Sequence, residues 1–200
     1  MLTLTKKENS NVSQNQLSDY VAVFDNLVSP GFCDDMVSEF RLSDEWLAAR
    51  IGGNVEVDRN IRNVDTIRLS RTTTLERNPK LRAHFDKTLH QACVAVIRHY
   101  KRLFPACRIT EGIGFDLLRY ETGGFYKTHT DSYKRIPREV ACSFALNEDY
   151  LGGEWSFFHG EKDMRPGKGS VVVFPSNFMF PHEIKTVTAG TRYSVVTWFS

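Results

Sequence analysis

Long apolar runs are the first thing this 200-residue chain lacks. None of its hydrophobic stretches approaches the roughly 20 residues that a membrane-crossing helix needs, so no membrane partner is expected. The opening MLTLTKKENSNVSQNQ also lacks the apolar core of a signal peptide. Residues 1–18 therefore read as a loose, flexible leader, and a cytoplasmic protein is expected. An excess of either charge is missing as well: 26 Lys and Arg nearly balance 24 Asp and Glu, for a net charge of +2. Nothing in that balance calls for nucleic acid or an acidic membrane as partner. Cysteine is scarce. The four that occur, Cys33, Cys93, Cys107 and Cys142, lie far apart and form no CxxC pair. That argues against a disulfide scaffold or a cysteine zinc site, and for buried free thiols in a reducing compartment.

What is present is ordinary globular material in a length that suits one domain. Tyr20 to Phe24 reads as a short strand. A helix is predicted after it, with Ser29 as N-cap and Pro30 in the first position. Residues 49–63, glycine-bearing and charged, read as a hairpin or mobile loop, and Val64 to Ser70 alternates as a strand. Asn78 and Pro79 open the clearest helix. Its apolar stripe runs through Leu81, Phe85, Leu89, Ala92, Val96, Tyr100 and Leu103 at spacings of three and four. After Pro105 the chain changes to short β-branched and aromatic segments, punctuated by TGG, LGG, RPGKG and TAG. Strands at that spacing predict an all-β sandwich or barrel, buttressed by the N-terminal helices. One domain is expected over residues 19–200, with its β core from about residue 106.

Six histidines occur. His84, His90 and His99 belong to the helical segment and are expected on its solvated face; His159 sits in a turn. The other two lie in β-segments. His129 and Asp131, in FYKTHTDSY, are two residues apart, and strand alternation would place them on one face. His182 follows the apolar strand VVVFP and a proline-rimmed loop, and Arg192 comes ten residues later on an otherwise apolar or aromatic strand. A buried arginine needs an anion, and that strand contains no acidic residue to supply one. Two neutral imidazoles and one carboxylate form the facial triad of non-haem Fe(II) oxygenases, which leaves coordination positions open for a 2-oxo acid and dioxygen. Arginine suits the far carboxylate of such a co-substrate because its planar fork pairs with it bidentately. The same three ligands also suit zinc with a bound water, in a hydrolase or isomerase.

The segments RYETGGFYKTHTDS, ALNEDYLGGEWSFF, KGSVVVFPSNFMFPHEI and VTAGTRYSVVTWFS resemble the Fe(II)- and 2-oxoglutarate-dependent dioxygenases of the prolyl 4-hydroxylase type, over about Gly112 to Ser200. The resemblance implies a double-stranded β-helix, or jelly-roll, core of the cupin kind. It implies His129, Asp131 and His182 as Fe(II) ligands and catalytic centre. It also implies Arg192 as the holder of the 2-oxoglutarate distal carboxylate, Tyr120 in the co-substrate pocket and Trp198 as an aromatic near the metal. Ala145 departs from the pattern, since some relatives carry a second tyrosine there. Fe(II), 2-oxoglutarate and dioxygen are the implied cofactors, with ascorbate as an accessory. The implied reaction turns a C–H bond into C–OH while 2-oxoglutarate becomes succinate and carbon dioxide. Asp131 favours hydroxylation over halogenation, because related halogenases have a small residue there. The implied substrate is a prolyl residue of a peptide or protein, entered beside residues 49–63, with Arg68 and the basic loop Tyr133 to Glu139 as candidate contacts. A free amino acid or small biosynthetic intermediate is the alternative. A non-catalytic module sensing iron or 2-oxoglutarate is a third possibility. The sequence leaves oligomeric state open.

Overall fold

The first helix starts where its cap predicts: Ser29 Oγ accepts the Phe32 N–H at 3.2 Å, and α1 runs Pro30–Phe40. A computed structural model of the chain describes residues 16–52, 56–70, 78–110 and 112–200. Most of the expected leader thus lies outside the described residues, and Leu17–Tyr20 form a single 3-10 turn. The long helix α2 (Pro79–Leu103) buries Phe85, Leu89, Ala92, Val96 and Tyr100. The predicted stripe fails at its end, where Leu103 is exposed on the last turn. Asn78 does not cap through its side chain, so Pro79 alone marks the start. His84, His90 and His99 are exposed, as the polar face requires.

Fourteen strands, numbered in chain order, are found among the described residues, and every pairing is antiparallel. The major sheet holds β1 (Ala22–Phe24), β2 (Leu47–Ala48), β4 (Asp65–Arg68), β5 (Asp116–Tyr120), β7 (Val140–Ala145), β11 (Val171–Pro175) and β14 (Arg192–Phe199), in the order β1-β11-β7-β14-β5-β4-β2. The minor sheet holds β3 (Arg62–Asn63), β6 (Phe125–His129), β9 (Trp155–Phe157), β10 (Lys162–Met164) and β12 (His182–Ile184), in the order β10-β9-β12-β6-β3. A two-stranded ribbon joins β8 (Leu151–Gly152) to β13 (Val187–Ala189). β12 and β13, only two residues apart along the chain, therefore serve different sheets.

Alternation along each strand then divides the core. Leu117, Cys142, Phe144, Val173 and Val195 face the helices and join Phe32, Met36, Phe85 and Leu89 in one buried cluster. Leu118, Tyr120, Val172, Phe174, Val196 and Trp198 face the other way, against Tyr126, Trp155, Phe157 and Ile184 of the minor sheet. The helices thus brace the back of the major sheet, leaving its front for the sheet-to-sheet interior. The thiols are unpaired, and burial pushes Cys93 up to about 12 and Cys33 up to about 11, so neither is a reactive thiolate. Among the described residues no helix is long and apolar enough to cross a membrane.

One glycine pins α1 to the major sheet. Gly169 has φ +82° and its carbonyl accepts from both Leu27 and Val28, just before α1. A Cβ there would strike the Val28 carbonyl oxygen. Gly169→Ala should therefore destabilise the fold by about 2 kcal/mol or more, read from denaturant midpoints. An unchanged midpoint would show that this junction can open without loss.

Candidate metal centre

Two histidines meet across the junction of β6 and β12. His182 stands opposite His129, and Ile184 opposite Tyr126. Between those pairs β6 carries one residue too many, so Lys127 and Thr128 together face Glu183. This bulge turns Lys127 and Thr128 out to solvent, where Thr128 Oγ1 donates to Glu183 at 2.9 Å. It also brings Tyr126 and His129 to the same inner side, with their rings stacked at 3.5 Å. Asp131 is not on the strand, contrary to the alternation reading. β6 ends at His129, and Asp131 is held in the following loop by its N–H to the Ser176 carbonyl at 3.2 Å.

The three side chains converge. His129 Nε2 lies 3.6 Å from Asp131 Oδ1, and His182 Nε2 lies 3.7 Å from Asp131 Oδ2. These gaps are long for hydrogen bonds. They are spans that two metal–ligand bonds of about 2.0–2.2 Å can bridge. One donor atom from each residue falls within 4.8 Å of the others, and no second such cluster occurs among the described residues. The tautomers fit as well. His129 Nδ1 donates to the Lys127 carbonyl at 2.8 Å and His182 Nδ1 to the Phe180 carbonyl at 3.0 Å. A carbonyl only accepts, so each Nδ1 carries the proton and each Nε2 keeps its lone pair for the shared point. The donor set therefore suits a divalent ion such as Fe(II).

Electrostatics agrees. His182 is 1% exposed, enclosed by the rings of Trp155, Phe157 and Phe174 at 5.4, 5.4 and 4.7 Å. Burial, reinforced by neighbouring His129, lowers its pKa to about 4. Burial alone would raise Asp131. The His182 and His129 imidazoles and the Trp198 indole N–H overcome that and hold its carboxyl well below the usual range. The metal-free protein should accordingly lose stability as pH falls. Between the ordinary histidine value near 6.5 and about 4 the unfolded chain takes up a proton that folded His182 refuses, so this contribution is whole above that window and shrinks within it. At pH 5 the loss should be about 2 kcal/mol, seen as a lower melting temperature than at pH 7. A melting temperature that stays flat across that window would contradict the assignment.

Arg192 lies in the same interior. It is 3% exposed, pairs across the sheet with Tyr120, and forms no ion pair among the described residues. Its Nη1 donates to Ser194 Oγ at 3.1 Å, and its guanidinium lies 5.0 Å from the Tyr120 ring and 5.8 Å from that of Trp155. Arg192, Tyr120 and Trp198 line one narrow cavity with His129, Asp131 and His182. Ala145 is buried beside Ser194 on β7 and offers no polar group. Reading the sequence missed Trp155, Ser194 and the stacking of Tyr126 on His129. Ser194 could have been found, because it is two residues from Arg192 on the same face of β14; the stacking could not, because the bulge breaks alternation. Arg138 from the basic loop is held close to the centre. It lies 3.7 Å over the Trp198 ring and donates to the Asp131 carbonyl at 3.2 Å. Arg68 is instead committed to Asp116 and the Ile113 carbonyl.

Residues 115–200, the stretch that carries His129, Asp131, His182 and Arg192, match the family model of the 2OG-Fe(II) oxygenase superfamily. That match covers 86 of the chain's 200 residues, and it is a likeness to that superfamily. Curated relatives include a PKHD-type hydroxylase of Psychrobacter sp., 32% identical over 48% of this chain and 36% of its own length. Another, from Rippkaea orientalis, is 28% identical over 76% of this chain and 62% of its own length. The chain thus spans about a third to three-fifths of those relatives. Among solved structures, a Trichoplax adhaerens prolyl hydroxylase in complex with a hypoxia inducible factor peptide fragment superposes with a TM-score of 0.73 at 21% identity, covering 91% of this chain and 84% of that one. A Pseudomonas putida prolyl-4-hydroxylase gives 0.66 at 19%, covering 90% and 91%. These likenesses establish the fold, an antiparallel double-stranded β-helix core with flanking helices.

Proposed function

We propose that this chain is an Fe(II)- and 2-oxoglutarate-dependent hydroxylase acting on a prolyl residue of a peptide or protein. One observation carries the reading: a two-histidine, one-carboxylate cluster shares its cavity with a buried arginine that has no acidic partner among the described residues. His129, Asp131 and His182 would hold the iron. Arg192, steadied by Ser194 and walled by Tyr120 and Trp155, would take the distal carboxylate of 2-oxoglutarate and orient its 2-oxo acid end toward the triad. Trp198 positions the Asp131 carboxylate through its indole N–H. The aromatic rings around His182 exclude water from one flank of the centre. When bound, iron and co-substrate supply the oxidation of an unactivated C–H bond by dioxygen.

The prolyl assignment draws support from solved relatives whose own names state prolyl hydroxylation, one of them holding a peptide. We read residues 19–200 as one catalytic unit, and the four unpaired thiols support a reducing, cytoplasmic location. The test is aerobic incubation with Fe(II), 2-oxoglutarate and a panel of prolyl peptides and free amino acids. Oxygen-dependent succinate and a product heavier by one oxygen atom are expected, with peptides preferred. Tightly bound zinc without oxygen-dependent succinate would refute the assignment.

A further inference from the structure

Resting on the hydroxylase reading, we infer that the rim of the metal centre docks an extended, acidic polypeptide segment, through the Lys134–Arg135 turn and Phe178 of the loop bonded to its base. The turn is rigid. Tyr133 and Ile136 exchange backbone hydrogen bonds at 3.3 and 3.1 Å, closing a tight loop with Lys134 and Arg135 at its tip. Its base is tied to the centre, because the Arg138 N–H donates to Ser132 Oγ and its guanidinium to the Asp131 carbonyl. Lys134 and Arg135 are exposed, and neither forms an ion pair or side-chain hydrogen bond among the described residues. From Ser132 to Arg138 the loop carries three basic residues and no acidic one. Two cations without an ion pair among the described residues, at the tip of a hydrogen-bonded loop leading to Asp131, present a positive surface.

The loop between β11 and β12 is joined to the same place by Ser176, whose carbonyl accepts the N–H groups of Asp131 and Ser132 at 3.2 and 3.0 Å. Phe178 in that loop is 82% exposed and Met179 43%. One exposed apolar side chain needs no explanation by itself. Here it stands with exposed Ile136 on loops that both lead into the triad. A substrate reaching cations on one loop and an aromatic ring on the other must extend well beyond the atom that meets the metal, which a free amino acid does not. Acidic groups complement the turn, and apolar side chains complement Phe178 and Ile136. The exposed carboxylate of Glu139, next along the chain from Arg138, limits the surplus of positive charge. That limit favours a moderately acidic peptide over a nucleic-acid backbone.

The test is fluorescence anisotropy with the full chain, loaded with Fe(II) and 2-oxoglutarate under nitrogen and, in parallel, metal-free. The probes are a proline-centred peptide flanked by Asp and Glu, and its twin with Asn and Gln. The acidic peptide should bind about tenfold more tightly, and its advantage should shrink as salt rises. The double variant Lys134→Glu, Arg135→Glu should lose about tenfold for the acidic peptide alone, whereas Lys87→Glu on the exposed face of α2 should change nothing. Phe178→Ser should weaken both peptides. Equal affinity for the twins, indifference to salt, or tighter binding of a single-stranded oligonucleotide would each overturn the inference. Binding is read without turnover, so the two readings fail separately. An acidic peptide that binds but is never oxidised sinks the hydroxylase and spares the docking surface. Peptides oxidised and bound regardless of charge do the reverse.

Discussion

His129→Ala and His182→Ala should each abolish 2-oxoglutarate turnover and remove the rise in melting temperature that Fe(II) gives the parent protein. Losing a group that merely supports a metal ligand typically costs up to about a hundredfold in affinity or activity, so losing a ligand should exceed that. The thermal readout matters because a metal that binds only the folded chain stabilises it by mass action, whether or not chemistry follows. The two variants also separate ligation from packing. His182 sits inside a cage of Trp155, Phe157 and Phe174, and its removal leaves a cavity costing about 2–3 kcal/mol. His129 is partly open to solvent, with its side chain 15% exposed, and its loss should cost much less stability. Equal loss of iron from both, with unequal loss of stability, is the expected pattern. Iron retained at full affinity by either variant would refute the triad.

Arg192→Met should make the protein more stable and its co-substrate binding worse. The guanidinium is almost fully buried with one hydrogen bond and no counter-charge among the described residues, an arrangement that costs free energy in the empty protein. A flexible apolar side chain of similar length removes that cost, raising stability by about 2 kcal/mol. The same change removes one partner of a buried charge pair with 2-oxoglutarate, worth about 3 kcal/mol, or somewhat over a hundredfold in the concentration required. Fe(II) binding should persist, since Arg192 donates to Ser194 and not to the ligands. A variant that is less stable, with an unchanged 2-oxoglutarate requirement, would make Arg192 a packing residue only.

Much of this centre was legible in the sequence, for reasons of chemistry rather than geometry. His129, Asp131, His182 and Arg192 stand out because metal ligands and buried cations tolerate few substitutes, and their order along the chain survives folding. The helical stripe from Phe85 to Tyr100 was legible because a 3.6-residue period can be counted. What escaped depends on register. Nothing in FYKTHTDSY announces the extra residue in β6, so alternation put Asp131 on the strand and gave no hint that Tyr126 stacks on His129. Trp155 reads as ordinary core until β9 is known to pair with β12 beside His182. Such facts belong to cross-strand pairing, which a single sequence specifies without displaying.

The carbonyls that receive the two Nδ1 protons have a consequence of their own. Lys127 and Phe180 each sit two residues before the histidine they orient, and each acts through its peptide group. Which imidazole nitrogen is offered to the metal is therefore decided by the main chain, and side-chain replacement at 127 or 180 leaves that instruction in place. A mutational scan would pass over both positions as neutral in this respect. Nitrogen-15 spectra of the two imidazoles would still report the Nδ1–H form in every such variant, and only a change to the peptide group itself, such as an amide-to-ester exchange, would alter it.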